Sequence, residues 1–228
     1  MREIGLTLPW LLASRIASAG EMVYNREDLE GCDMMKDFRS ARYWASELIE
    51  PGLGEGMVCV DATMGNGHDT LWLCGLVGET GRVYGFDVQE EAVERTRARL
   101  CEAGLGQRAT LFCEGHEHMA QRVEQPVDLV MFNLGWLPGA AHGVTTRTET
   151  TLLAVEAALS ILKPGGLVTI CVYPGHAEGA KELEALKKWA SALDARRYDA
   201  MLRCYMNQPN DPPQLIAVKR KLEKQTKV

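Results

Sequence analysis

Nowhere in this chain do apolar residues run for the roughly 20 positions that a membrane-crossing helix needs, so no membrane span is expected. Basic residues are in deficit: 25 lysines and arginines stand against 31 aspartates and glutamates, a net charge of −6. That balance excludes a broad, non-specific grip on a nucleic-acid backbone, though not a local basic contact. Cysteine pairs spaced C-x-x-C are missing. The seven cysteines, Cys32, Cys59, Cys74, Cys101, Cys113, Cys171 and Cys204, are odd in number, and several sit in apolar runs such as VCV and ICVY. They read as small buried thiols in a reducing cytoplasm, not as a disulfide frame or a zinc site. The opening MREIGLTLPWLLASRIASAG is interrupted by Glu3, Pro9 and Arg15, and no clean cleavage pattern follows. An export signal is therefore not expected. Internal repeats and low-complexity segments are also missing.

What is present is ordinary globular material: 228 residues, 46% hydrophobic and 25% charged, enough for one well-buried domain. Residues 1–37 match no pattern and are taken as an N-terminal extension; residues 38–228 carry the domain. FRSARYWASELIE reads as a helix that PGLGEG ends. Then MVCVD, RVYGFD, ATLFC, VDLVMFN and GLVTICVY read as strands. Helical segments alternate with them: from about Gly67, in QEEAVERTRARLCEAG, in TETTLLAVEAALSILK and in AEGAKELEALKKWASAL, with EGHEHMAQRVE after the third strand. Leu152, Val155, Leu159 and Leu162 step by three and four, as do Leu183, Leu186, Ala190 and Leu193. Thr146-Arg147-Thr148-Glu149 has the capping-box pattern, and Lys163-Pro164-Gly165-Gly166 is expected to stop the same helix. Continuous apolar strands imply a sheet covered on both faces. The alternation predicts an α/β, doubly wound, mostly parallel sheet. YDAMLRCYM and QLIAVKR, separated only by NQPNDPP, predict a terminal hairpin with the last strand antiparallel. Five strand–helix units plus that hairpin resemble the Rossmann-like, seven-stranded sheet of class I methyltransferases.

In such a sheet, ligands bind beyond the carboxyl ends of the strands. The first strand ends in Asp61 and runs into ATMGNGHDT, a D-x-x-x-G-x-G loop. Its glycines let backbone approach a ligand, and the next helix presents free N–H groups. Asp61, Thr63, Gly65, Asn66, Gly67, Asp69 and Thr70 are the cofactor candidates here; the bland reading is a glycine-rich turn. The second strand ends in Asp87, placed to bind two ribose hydroxyls or to cap the helix in QEEAVERT. Both features also fit NAD, but the G-x-G-x-x-G that usually accompanies a diphosphate is missing, which favours S-adenosylmethionine. Gly115 and His116, in EGHEHM, suit contact with adenine. His116 and His118 lack a further spaced ligand set, so a solvated or capping role is expected and no metal.

The fourth strand runs into MFNLGWLPGAAH. An Asn at a strand end followed by a small-aromatic-Pro segment resembles the (Asp/Asn)-Pro-Pro-aromatic motif of amino-group methyltransferases. Such an enzyme holds an amine neutral with its lone pair aimed at the methyl group. Asn133 and the backbone of Leu134 and Gly135 can accept the amine's hydrogens, and Trp136 can stack on a base. Positioning then supplies most of the catalysis. The alternative is a rigid turn with Trp136 in the core. VYPGH and MNQPNDPP should bring Tyr173, His176, Asn207 and Gln208 to the rim. His176 either relays a proton or caps the next helix.

Together, VDATMGNGHDT, GFDVQ, FNLGWLPG, TT-x-x-x-T, Y-x-GH and NQ-x-N-x-PP resemble the bacterial tRNA 5-(aminomethyl)-2-thiouridine methyltransferase family, formerly described as rRNA methylases. The resemblance implies methyl transfer from S-adenosylmethionine to the aminomethyl nitrogen of the wobble uridine. It implies cofactor contacts at Asn66, Asp87 and Gln89. It places the reaction and substrate wall at Asn133 through Pro138, His142 and Thr146, and it implies a cytoplasmic homodimer. Two departures stand out: the first forty or so residues are longer than the family's usual start, and PGAAH replaces a PGGDH-like segment. An acidic protein can still read one splayed base of a tRNA anticodon loop. VKRKLEKQTK offers Lys219, Arg220, Lys221, Lys224 and Lys227 to phosphates, or is a solvated terminus. Arg95, Arg97 and Arg99 read as a solvated helix face, with Glu91 and Arg95 paired. The rival readings are a methyltransferase of a small amine metabolite, a cofactor-binding protein without chemistry and, last, a nicotinamide oxidoreductase.

Overall fold

Seven strands form one sheet in the order β3-β2-β1-β4-β5-β7-β6. They are β1 (Val58–Asp61), β2 (Arg82–Asp87), β3 (Ala109–Cys113), β4 (Val127–Asn133), β5 (Leu162–Val172), β6 (Tyr198–Arg203) and β7 (Gln214–Arg220). The structure is a computed structural model; it describes residues 40–135 and 145–222, all within the unit Arg39–Val228. The first five strands are parallel, and β7 runs antiparallel to both β5 and β6. The helices are α1 (Ala41–Ile49), α2 (His68–Val77), α3 (Glu90–Glu102), α4 (Met119–Arg122), α5 (Thr148–Ile161) and α6 (Ala177–Ser191). This is the α/β, Rossmann-like, seven-stranded arrangement the alternation predicts, with the last strand antiparallel. No helix among the described residues is long and apolar enough to cross a membrane.

The strands read as unbroken apolar runs because successive side chains enter two different cores. On one face Val130 and Phe132 pack with Ala154 and Ala158 of α5 and Leu183 and Leu186 of α6. On the other, Leu129 and Met131 pack with Trp44 and Ile49 of α1 and Leu73 of α2. Each fully buried Leu or Phe contributes roughly 1.5–3 kcal/mol. Ser40 caps α1 by accepting the Tyr43 N–H.

Three local expectations are revised by the structure. α5 does stop just before Lys163–Gly166, at Ile161, but the segment is no simple loop: it is a bulge inside β5. Val127 pairs with Leu162 but Leu129 with Leu167, and Gly165 takes φ 83° to make the detour. The capping box does not form. Arg147 is the N-cap of α5 and makes no side-chain cap bond. Instead, Glu178 of α6 accepts the Thr148 N–H at 3.0 Å and its hydroxyl at 2.8 Å. Among the described cysteines, Cys59, Cys74 and Cys171 are buried, but Cys101, Cys113 and Cys204 are exposed, and all six are free. Cys32 lies outside the described residues.

The polarity of β7 decides where the basic tail begins. Gln214 sits opposite Val172, at the ligand end of β5, whereas Lys219 sits opposite Leu167, at the other end. Arg220 donates to the Leu162 carbonyl, and Lys221 reaches the Ala195 carbonyl at 2.8 Å and Asp199 at 2.9 Å. The first cations of the tail therefore lie at the sheet edge opposite the ligand end. Lys224 and Lys227 lie outside the described residues.

Candidate active site

A cavity of about 900 Å³ opens over the carboxyl ends of the parallel strands, where strand order reverses between β1 and β4. Its size suits a small-molecule ligand, and its place is the switch point such sheets use.

The loop after β1 is built from behind. Asp61 is 1% exposed. Its carboxylate accepts the Thr63 N–H at 3.2 Å and the Thr70 hydroxyl at 2.6 Å, tying the two ends of the loop together. Burial, and then the charge of Asp69, push its pKa up. Gly67 has φ 78°, and a Cβ there would lie 2.7 Å from the Thr96 hydroxyl oxygen of α3. Thr96 in turn donates to the Gly65 carbonyl at 3.0 Å. Thr63, Gly65, Asn66 and Asp69 face the cavity. Asp61, Gly67 and Thr70, expected among the ligand contacts, shape the wall without lining it. Asn66 reaches toward α3, its side-chain oxygen accepting from Arg95 at 3.1 Å and its carbonyl from Arg99 at 2.9 Å. The Glu91–Arg95 pair is present. Yet Arg95 and Arg99 are more than a solvated face, because they anchor the loop.

Asp87 accepts the Gly65 N–H at 3.0 Å and the Gln89 N–H at 2.9 Å. Gln89, not Asp87, is the N-cap of α3. Asp87 and Gln89 both line the cavity, and burial raises the Asp87 pKa. An ionised carboxylate has about four lone-pair sites, so Asp87 retains acceptors for hydroxyls after making those two bonds. Gly115 and His116 form the next part of the wall. His116 is buried, neither solvated nor capping: Nδ1 lies 3.1 Å from the Ala62 carbonyl, and the ring meets Phe132 edge-on. Burial lowers its pKa. A carbonyl only accepts, so Nδ1 carries the proton. No cluster of three or more His, Cys, Asp or Glu among the described residues could hold a metal ion.

Asn133 closes the other half. Its backbone N–H donates to the Thr63 hydroxyl at 2.7 Å, and its side-chain amide donates to Asp69. Its carbonyl oxygen, Oδ1, is buried and has no hydrogen-bond partner among the described residues. Leu134 donates to the Cys171 carbonyl at 2.9 Å. Gly135 and Thr146 exchange two bonds, 3.0 Å to the Thr146 hydroxyl and 3.1 Å back to the Gly135 carbonyl. Thr146 lines the cavity as expected, but its hydroxyl also donates to Glu182, a buried residue of α6. Tyr173 lines the same side, about a third exposed, its pKa raised by partial desolvation. His176 caps α6, Nδ1 accepting the Gly179 N–H at 3.1 Å, which favours the cap over the proton relay. Asn207 and Gln208 are exposed and do not line the cavity. The rim is made by Asn210 and Asp211 instead, at φ 63° and 46°. Trp136, Pro138 and His142 lie outside the described residues.

Sequence reasoning also misses Arg42. It projects from α1 onto the cavity wall and holds Asp69, 27 positions away. Nothing in local spacing links the two. The wall carries five carboxylates, Asp69, Asp87, Glu114, Glu117 and Asp211, against two arginines, Arg42 and Arg147, with no lysine among the described residues. An acceptor-rich, acidic wall suits a cationic ligand with hydroxyl groups and disfavours a pyrophosphate.

Fold and cavity together define a class I methyltransferase domain. The family model described as "Putative rRNA methylase" matches residues 83–219, and the chain belongs to that family. It is 37% identical over 187 residues to the chloroplastic tRNA (mnm(5)s(2)U34)-methyltransferase of Arabidopsis thaliana, covering 77% of this chain and 68% of that one. A Clostridium thermocellum structure with the same rRNA-methylase description superposes with a TM-score of 0.79 at 37% identity, covering 81% of this chain and 100% of that one. A Streptococcus mutans structure, described as a methyltransferase in complex with SAH, gives 0.73 at 33% identity, covering 81% and 99%.

Proposed function

We propose that this chain is an S-adenosylmethionine-dependent N-methyltransferase. Its substrate is the aminomethyl group of 5-aminomethyl-2-thiouridine at the wobble position of tRNA. The observation that carries this reading is at Asn133, a residue of the cavity wall whose Oδ1 is a buried acceptor with no partner among the described residues. Leaving such an oxygen unsatisfied costs about 1–3 kcal/mol unless a ligand donor reaches it. A neutral amine has hydrogens to give.

The residues present fit the cofactor. Asp87 offers acceptors to ribose hydroxyls, Gly65 and Asn66 bring backbone to the amino-acid end, and Gln89, Gly115 and His116 flank the adenine. The acidic wall favours the sulfonium. When bound, S-adenosylmethionine supplies an electrophilic methyl group; the chain's part is to hold and orient. Asn133 Oδ1 and the backbone oxygens of Leu134 and Gly135 accept the amine's hydrogens and direct its lone pair into the cavity. Thr146 and Tyr173 bound the base, and the family resemblance assigns Trp136, Pro138 and His142 to the same substrate role. The Arabidopsis relative is named for this reaction and the Streptococcus mutans relative was solved with SAH, and both support the assignment. The activity resides in residues 38–228, with residues 1–37 as an extension, in a cytoplasmic homodimer.

The five wall carboxylates favour one other reading, a small cationic amine metabolite as substrate. A binder without chemistry has no need of the Asn133 acceptor. The deciding experiment incubates labelled S-adenosylmethionine with bulk tRNA from a bacterial strain that accumulates the unmethylated aminomethyl base. Nucleoside mass analysis should show one added methyl on that nucleoside, lost in Asn133→Ala. Cofactor binding without incorporation would overturn the tRNA reading in favour of the small amine.

A further inference from the structure

We infer that Asp69 is a positioning residue that fixes the orientation of the Asn133 carboxamide, with its donor end on Asp69 and its acceptor end left for the substrate amine. The inference rests on reading Asn133 as the acceptor for the substrate amine. A carboxamide has a donor end and an acceptor end of nearly equal shape, and only the donor end can meet a carboxylate. Asp69 Oδ2 takes the Asn133 Nδ2 hydrogen. Oδ1 is thereby turned the other way, where it is buried with no partner among the described residues.

Asp69 is itself held. Its second oxygen, Oδ1, receives Arg42 Nε at 3.0 Å and a second guanidinium nitrogen of the same arginine. It sits in the first turn of α2, where the helix dipole favours a negative charge. The Asn133 backbone is pinned separately by the Thr63 hydroxyl. The Arg42–Asp69–Asn133 chain thus leaves one orientation for the amide. The opposite orientation would aim N–H donors at the amine, engaging the lone pair that must attack and leaving the amine hydrogens unmatched. Asp69 lines the cavity, and three of its about four acceptor sites already serve Arg42 and Asn133, so its chief part is orientation, with less to offer a cofactor than its place in the glycine loop suggested.

The test is D69N, N133D and the exchange D69N/N133D. D69N offers Asn133 an amide that accepts either end, so kcat should fall on the order of 30-fold while affinity for S-adenosylhomocysteine, by calorimetry, stays within about threefold. N133D sets two carboxylates against each other and should be at least as poor. The exchange restores a donor at 69 facing an acceptor at 133, with a free oxygen toward the cavity. It should recover turnover to within about fivefold of the parent, which a merely structural role does not predict. In ¹⁵N-labelled protein the Asn133 side-chain amide should give one protected pair of signals, and D69N should broaden or double it. Unchanged amide signals in D69N would overturn the inference, as would a loss of S-adenosylhomocysteine affinity with kcat intact. Parent protein that methylates no tRNA would instead remove the functional reading, while the amide signals would still decide the orientation.

Discussion

The Thr146 hydroxyl donates to the buried Glu182 carboxylate at 2.9 Å. Through that oxygen α6 holds the end of β4, because the same hydroxyl receives the Gly135 N–H. Glu182 also accepts the Thr151 hydroxyl at 2.7 Å, and burial raises its pKa. Glu182→Ala would leave the buried Thr151 hydroxyl and the half-buried Thr146 hydroxyl without their acceptor and should lower unfolding free energy by about 3 kcal/mol. Glu182→Gln keeps one acceptor oxygen and should lose less than half of that. Urea denaturation of both variants checks the order; equal losses would show that filling the space matters more than accepting the bonds.

Gly67→Ala tests the close approach of α3. The new methyl would meet Thr96 Oγ1 at 2.7 Å and its Cα at 2.8 Å, at a φ of 78° that L-residues avoid. Destabilisation of about 2 kcal/mol or more is expected, with weaker binding of S-adenosylhomocysteine. Adding Thr96→Ser should not rescue it, because the hydroxyl and the backbone clash remain. Thermal denaturation with calorimetry on the same samples gives both readouts.

The pKa of Asp61 is raised in the fold, by burial first and by Asp69 second. A raised carboxylate favours folding while it is protonated. Its contribution is fully present below the unfolded value of about 4 and is lost as pH rises through the folded value. Asp61→Asn removes this titration. The stability of the parent relative to the variant should therefore fall as pH climbs from 4 to neutrality. Denaturation midpoints of both proteins across that range decide it, and parallel curves would show that Asp61 ionises in the fold as freely as in the unfolded chain.

Lys219 and Lys221 begin the basic tail at the wrong end of β7 to reach a ligand over the cavity. Lys219→Ala with Lys221→Ala should leave tRNA affinity within about twofold, since a lost phosphate contact also lowers the salt dependence of binding. Filter binding at two salt concentrations measures both. A drop in affinity with a shallower salt slope would place RNA along that edge.

The sheet was legible because its physics is local. A strand covered on both faces must be apolar along its covered length, and Leu129–Phe132 of β4 is. Asp87 and the glycine loop were legible because spacing along one βαβ unit fixes their place. Two of the misreadings share one cause: the partner lay far off in the chain. Thr146 and Thr148 have the pattern of a local cap, yet their carboxylates come from α6, 36 and 30 positions on. Arg95 and Arg99 have the spacing of a solvated face, yet the Asn66 loop lies beneath them. Asn207 and Gln208 lost the rim to Asn210 and Asp211 because two consecutive residues of positive φ redirect the turn; Asn and Asp favour that region more than other side chains, but their spacing does not say which of the turn's residues will take it.

The switch point also divides the cavity by inheritance. The loops of β1, β2 and β3 form one bank; those of β4 and β5 and the β6–β7 turn form the other. Because β7 runs against its neighbours, that turn arrives at the rim as a hairpin tip and leads into no helix; Tyr205 at its base packs on Trp44 of α1, and residues 207–213 lie beyond that contact. Its length and sequence are therefore open to exchange between relatives, and a graft of residues 207–213 would retune what enters while leaving the first bank intact. For an engineer seeking a new acceptor molecule, this turn is the modular part of the enzyme.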